Sequence, residues 1–123
     1  MRGSGRIKTG KHGEEIAAAY LKGEGYQIIE RNYRCLFGEV DIVAKDRDMI
    51  VFVEVKSRKS ELFGDPQTAV SLEKQKKLCR ISLKYLEERR IYPCNARFDV
   101  VAVKMLPAGN EIELIRNAFD FAF

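Results

Sequence analysis

The chain has 123 residues, enough for one hydrophobic core and too few for two ordinary domains. An apolar fraction of 46% excludes a disordered chain, and no apolar run approaches the ~18 residues that a membrane span requires. The net charge of +4 leans toward a polyanionic partner without identifying one.

Cys35, Cys79 and Cys94 stand far apart, and none has a second cysteine or a histidine at metal-ligand spacing. They read as small apolar fillers in a reduced, cytoplasmic setting. Residues 1–10, MRGSGRIKTG, are basic but lack the apolar stretch of a signal peptide. They read as a flexible basic arm ahead of a single domain over 11–123.

In chain order, HGEEIAAAYLKGEG predicts a helix over roughly 12–24, with Ile16, Ala17, Tyr20 and Leu21 on one stripe and Gly23 and Gly25 ending it. Glu14 lies at the border of that stripe and Glu15 points nearly opposite. Glu14 therefore either leans toward the interior or serves as a first-turn carboxylate favoured by the helix dipole. His12 reads as a surface or capping residue. YQIIERNYR predicts a strand on which Tyr33 packs between Arg31 and Arg34.

GEVDIVA and MIVFVEVKS predict two more strands, joined through KDRD as a hairpin, and FGDPQTAV a loop punctuated by Pro66. A long helix over roughly 68–90 buries Leu78, Ile81, Ser82, Tyr85 and Leu86. Its Lys74, Lys77, Arg80 and Lys84 fall within about 120° on an adjoining face. ARFDVVAVKM is a fourth strand, on which Arg97 and Asp99 share a face and pair. NEIELIRNAF is a short fifth strand. Phe119, Phe121 and Phe123 then either cover the core or offer an apolar patch to a second copy in a homodimer. The order αβββαβ plus a short C-terminal strand predicts an α/β domain, a central mixed β-sheet flanked by helices. The long crossover helix makes strands three and four a parallel pair.

The hairpin over 38–58, GEVDIVAKDRDMIVFVEVKSR, interrupts buried-quality strands with Glu39, Asp41, Glu54 and Lys56. If it turns symmetrically about Asp46 and Arg47, Ala44 pairs with Met49, Asp41 with Phe52, and Glu39 with Glu54. Alternation then puts all four charged groups on one face, with neighbouring Cβ atoms roughly 5–8 Å apart. Three carboxylates that close repel one another, and one lysine offsets only part of the repulsion. Either the group is a salt-bridged, solvent-facing strand pair, or it awaits a hard divalent cation, Mg²⁺ or Mn²⁺, with oxygen ligands. In the second case the lysine assists attack on a phosphodiester.

These residues resemble a known pattern. GEVD followed by FVEVKSR is similar to the D…(D/E)xK signature of the PD-(D/E)xK nuclease superfamily. The chain also resembles the YraN family of small bacterial proteins through GEEIAAAYL, RNYR, GEVDIVA, VFVEVKSR, FGDP, Lys74 with Leu78, RFDVVAV and IRNAF. The resemblance implies a restriction-endonuclease-like fold close to that of Holliday junction resolvases. It implies Asp41 and Glu54 as metal ligands, Lys56 as the catalytic lysine and Glu14 as the helix carboxylate. Val40 stands where the name-giving proline of the signature would be.

Around this set, Glu39 is expected in a supporting role. Arg58, Lys59, Lys74, Lys77, Arg80 and Lys84 are expected to meet nucleic-acid phosphates. The leading expectation is a Mg²⁺-dependent endonuclease acting on DNA, of which branched or structured DNA is one class. The alternatives are a nucleic-acid-binding accessory module without efficient cleavage, and an interaction module recruited through the Phe-rich tail.

Overall fold

A computed structural model of the chain describes residues 2–58, 70–91 and 95–120, with side chains from residue 10 onward. The expected FGDP loop, Lys59, Cys94, Phe121 and Phe123 lie outside the described residues. Five strands, β1 (Gln27–Cys35), β2 (Gly38–Asp46), β3 (Met49–Arg58), β4 (Ala96–Leu106) and β5 (Gly109–Phe119), form one sheet in that spatial order. Helix α1 (Arg2–Gly23) precedes the sheet and α2 (Leu72–Glu88) connects β3 to β4. The β3–β4 pair is parallel and the other three pairs are antiparallel, as a helical crossover at that single point requires. This mixed α/β sheet with two helices is consistent with a restriction-endonuclease-like fold.

The sheet buries both faces. Ala17, Ala18 and Leu21 of α1 pack on Ile42, Ala44, Val51, Val53, Val101 and Val103. Leu78, Ile81, Tyr85 and Leu86 of α2 pack on Val40, Val43, Ile50, Phe52 and Phe98 on the other face. Covering by helices on both faces is why the central strands read as nearly unbroken Val, Ile and Phe runs. Ser82, buried within the α2 stripe, donates its hydroxyl to Leu78 O at 2.8 Å. Tyr33 packs as expected, edge-on to Tyr85 with ring centroids 5.1 Å apart, and Phe119 stacks on Phe98 at 4.7 Å. Cys79 is buried in the α2 core and Cys35 is half-buried beside it.

Several boundaries differ from expectation. Helix α1 begins at Arg2, ahead of the start near residue 12 expected for the first helix. Its buried stripe centres on Ala17, Ala18 and Leu21, with Tyr20 only half-buried. Helix α2 starts at Leu72 because Ser71 caps it, its Oγ accepting from Lys74 N at 3.1 Å. It ends before Arg90, whose φ of 55° leaves the helical region. The fifth strand is long, not short: residues 109–119 pair with β4 along its length.

The hairpin register also differs. Its two-residue turn is Arg47-Asp48, closed by Asp46↔Met49, and the φ of 58° at Arg47 lets it close there. Ala44 therefore faces Val51 and Val43 faces Phe52, in place of the Ala44–Met49 and Asp41–Phe52 pairs expected from a turn one residue earlier. Shifting the turn centre by one residue moves every pair by two, so each side chain keeps its face.

On the α1 side, Asp99 is fully buried. It accepts from Tyr26 Oη at 2.7 Å, Arg97 Nε at 2.9 Å and the Asn117 backbone at 2.9 Å. Arg97 also donates to Asp46 at 2.8 Å. Burial, with Asp99 alongside, pushes the Tyr26 phenol up to about 12. This network ties β2, β4 and β5 to Tyr26, just ahead of β1, and completes the Arg97–Asp99 pairing read from alternation.

Candidate active site

The β2–β3 ladder stops at Ile42↔Val53. Beyond it the strands part, and the Asp41 carboxylate enters the gap to accept the Val55 N–H at 2.7 Å. The alternation of β2 breaks at the same place. Val40 belongs to the cluster under α2 and Ile42 to that under α1, although residues two apart share a face on a regular strand. Asp41 thus sits at a fork between the two faces. The charged cluster does not lie on a single face, as expected from sequence, but spans the fork from α1 to α2.

From α1, Glu14 points to the fork with a side chain 16% exposed, while Glu15 is exposed to solvent. Carboxylate oxygens of Glu14, Glu39 and Asp41 lie within 4.8 Å of one another. The approach of α1 depends on Gly13, where an added Cβ would stand 2.6 Å from Ser57 Cβ on β3. Glu39 does not face Glu54. It pairs across the β1–β2 ladder with Arg34, whose Nε donates to its carboxylate. Asn32, with a φ of 55°, donates to Glu14 Oε1 at 2.9 Å and reaches Glu39 Oε1 at 3.4 Å. Asparagine tolerates that left-handed conformation at little cost. Arg31 adds a distant cation, 3.9 Å from Glu14.

From β3, Glu54 is buried, with Lys56 Nζ at 3.7 Å and Lys74 Nζ of α2 at 3.3 Å from its Oε2. Asp41 takes the electrostatic load of the cluster. Burial pushes its carboxyl up, with the Glu54 charge adding to it, the Val55 N–H opposing and the Glu14 charge contributing further; the result is about 8. A half-buried carboxyl held next to two others is a costly arrangement that a bound cation relieves. The donors are all carboxylate oxygens, the set that hard cations such as Mg²⁺ and Mn²⁺ take.

The expected phosphate-contact residues separate. Lys74 joins the acidic cluster, while Lys77 and Arg80 stay exposed further along α2. Lys84 turns to Glu87 at 3.8 Å, away from the site. Arg58, at the end of β3, holds a buried Nε with no hydrogen-bond partner among the described residues. His12 is exposed. Sequence reasoning missed Asn32, Arg34 and the Lys74–Glu54 pair. The RNYR stretch carried a signal for the first two, since asparagine between two arginines suits a kinked strand. The third needs the tertiary placement of α2.

An α/β sheet with a helix on each face, and Asp41 beside the Glu54-Val55-Lys56 tripeptide on adjacent strands, defines a protein of the PD-(D/E)xK-like class. The family described as "Uncharacterised protein family UPF0102" matches residues 13–103. The chain is 57% identical over 117 residues to a UPF0102 protein of Syntrophus aciditrophicus, covering 95% of this chain and 92% of the relative. It is 50% identical over 124 residues to one of Trichlorobacter lovleyi, covering 98% and 97%. A UPF0102 protein of Desulfosudis oleivorans is 47% identical over 115 residues, covering 94% and 92%. The chain belongs to the UPF0102 family, also called YraN, within the PD-(D/E)xK-like nuclease superfamily.

Proposed function

We propose that the protein is a metal-dependent nuclease that hydrolyses DNA phosphodiester bonds. The observation that carries this reading is the cluster at the fork: carboxylate oxygens of Asp41, Glu14 and Glu39 within 4.8 Å of one another, with Lys56 Nζ 3.7 Å from Glu54 on the adjoining strand. Asp41, Glu14 and Glu54, supported by Glu39, would hold Mg²⁺ or Mn²⁺, which supplies Lewis-acid activation of the phosphodiester and of water. Asp41 is fixed by the Val55 N–H, which aims its carboxylate into the fork. Lys56 presents an ammonium at the same point, suited to charge developing on the phosphate in the transition state. Lys74 holds the buried Glu54 carboxylate in place, 3.3 Å from its Nζ. Asn32 orients Glu14 and Glu39 together. Among the described residues no helix is long and apolar enough to cross a membrane. With three unclustered cysteines, a reducing, cytoplasmic location fits the reading.

A second reading has its own observation. Lys56 and Lys74 together neutralise Glu54 without any metal, which suits a DNA-binding accessory module that keeps the fold but not turnover. Cleavage of a panel of duplexes, flaps and four-way junctions with Mg²⁺ or Mn²⁺ separates the two. The nuclease reading expects cutting that Asp41→Asn and Lys56→Ala each lower by 100-fold or more. Salt-dependent binding without cutting, or cutting that survives both substitutions, decides against it.

A further inference from the structure

The β1–β2 turn carries residues its backbone does not ask for. Two-residue hairpin tips are dominated by Asn, Asp and Gly. Here Cys35 pairs with Gly38 and the tip is Leu36-Phe37. Gly38 takes the positive φ, 134°, so the turn's unusual conformation is met without help from the tip. Leu36 is 91% exposed and Phe37 40% exposed, and neither belongs to a core cluster. Two adjacent large apolar side chains at a hairpin tip, one almost wholly in water and the other partly so, break a local rule, and such a break marks a contact surface.

The surroundings of Phe37 are cationic. It lines an open recess of about 380 Å³ with Lys76, Lys77 and Arg80 of α2, against the carboxylate of Glu73 among the described residues. The tip touches the helix, since a Cβ added at Gly38 would stand 2.9 Å from Lys77 Cε. The same helix leads back to the acidic cluster, because Lys74, one turn before Lys77, contacts Glu54 at 3.3 Å. At 1.5 Å rise per residue, Lys74 to Arg80 covers about 9 Å. A nucleic-acid strand advances ~3.4 Å per nucleotide.

We propose that Phe37 is a base-stacking platform, with Leu36 as its outer wedge, that makes the site select DNA with an unpaired base about one to three nucleotides from the bond at the acidic cluster. The inference rests on the nuclease reading for what the cluster does. Lys76, Lys77 and Arg80 hold phosphates, which gives affinity without regard to sequence or pairing. The exposed ring accepts a base only when that base has left its duplex stack, and stacking on an aromatic ring is indifferent to which base it is. Leu36 at the extreme tip lies against the first intact pair, as apolar wedges do. A fully paired duplex makes the phosphate contacts and forfeits the platform.

The test is binding in EDTA, where no strand is cut. Forked DNA carrying 2-aminopurine at each of the first three unpaired positions, and a paired duplex of equal length, are titrated with wild type, Phe37→Ala, Phe37→Trp and Lys77→Ala. Wild type is expected to prefer the fork and to change the fluorescence of one of the three labelled bases. Phe37→Ala lowers fork affinity about 5- to 100-fold and leaves duplex affinity unchanged. Phe37→Trp restores the fork preference, and Lys77→Ala weakens both substrates alike. A wild-type chain that binds both DNAs equally, or a Phe37→Ala loss equal on both, overturns the platform and leaves the nuclease reading standing. A wild-type chain that binds neither DNA overturns both. A Phe37→Ala change that converts a dimer to a monomer in sedimentation, with fork preference intact, overturns the platform in favour of contact between two copies of the chain.

Discussion

Replacing Asp41 by Asn is expected to make the protein more stable, and only above acid pH. Burial, together with the charges of Glu54 and Glu14, raises the folded-state Asp41 carboxyl from 3.8 to about 8. Below pH ~4 the group is protonated whether the chain is folded or not, and it costs nothing. As the pH rises, the unfolded chain releases the proton first while the folded chain retains it. Stability therefore falls through the window from 3.8 to about 8 and levels off above it. At 1.36 kcal/mol per pH unit, the accumulated cost at pH 7 reaches about 4 kcal/mol. Solvent reaches the cluster, where the Glu39 side chain is 30% exposed, and screens the Asp41 charge, which lowers the realised figure to about 1–3 kcal/mol. Asparagine keeps an acceptor for the Val55 N–H and offers its amide to Glu54, so it escapes the cost without losing the fork. Urea unfolding of both proteins in EDTA, at fixed salt from pH 4 to 9, measures this directly. The two stabilities should coincide near pH 4 and separate by about 1–3 kcal/mol at pH 7–8, with Asn ahead. A difference that is constant across pH, or an Asn variant less stable at pH 7, refutes the account of Asp41 as an electrostatically strained group.

The remaining expectations concern the cation, the buried network and the α1 approach. At pH 8, Mn²⁺ at about 100 times its dissociation constant should stabilise wild type by about 2.7 kcal/mol, roughly 10 °C in Tm. That shift should vanish in both Asp41→Asn and Glu14→Gln; equal shifts in all three proteins place the ion elsewhere. Asp99→Ala strands the Tyr26 hydroxyl, the Arg97 guanidinium and the Asn117 N–H, and should cost about 3–5 kcal/mol in urea unfolding. A loss under 1 kcal/mol contradicts the role given to that network. Gly13→Ala should lower Tm even though alanine is the better helix former by about 1 kcal/mol, because its Cβ would stand 2.6 Å from Ser57 Cβ. A raised Tm shows that helix propensity outweighs packing there.

Much of the fold was legible because its determinants are local. The α2 stripe of Leu78, Ile81, Ser82, Tyr85 and Leu86 repeats at helical period, and the structure buries all five. The parallel β3–β4 pair followed from the length of the α2 crossover alone. Boundaries were less legible where conformations with positive φ decide them. Arg47, at φ 58°, closes the β2–β3 turn one residue later than symmetry about Asp46 and Arg47 suggested, and no glycine in KDRD signals that choice.

The site was legible only to the extent that it depends on side-chain parity. A slip of the turn by one residue displaces pairs by two, so Asp41 and Glu54 stayed neighbours although the expected pairing was wrong. Glu39 shows the converse. Its partner is set by the β1–β2 ladder, where it meets Arg34, so a hairpin-only argument placed it opposite Glu54 without grounds. The break in alternation between Val40 and Ile42 is a third kind of feature. It arises because the β2–β3 ladder ends and Asp41 replaces a backbone partner for Val55, an exchange of main-chain for side-chain bonding that no periodicity encodes. That exchange puts a carboxyl at the strand fork, within reach of α1 through Glu14, while Glu54 on the adjoining strand reaches α2 through Lys74. The residue that departs furthest from the regular pattern of its strand is thus the one around which the cluster is built.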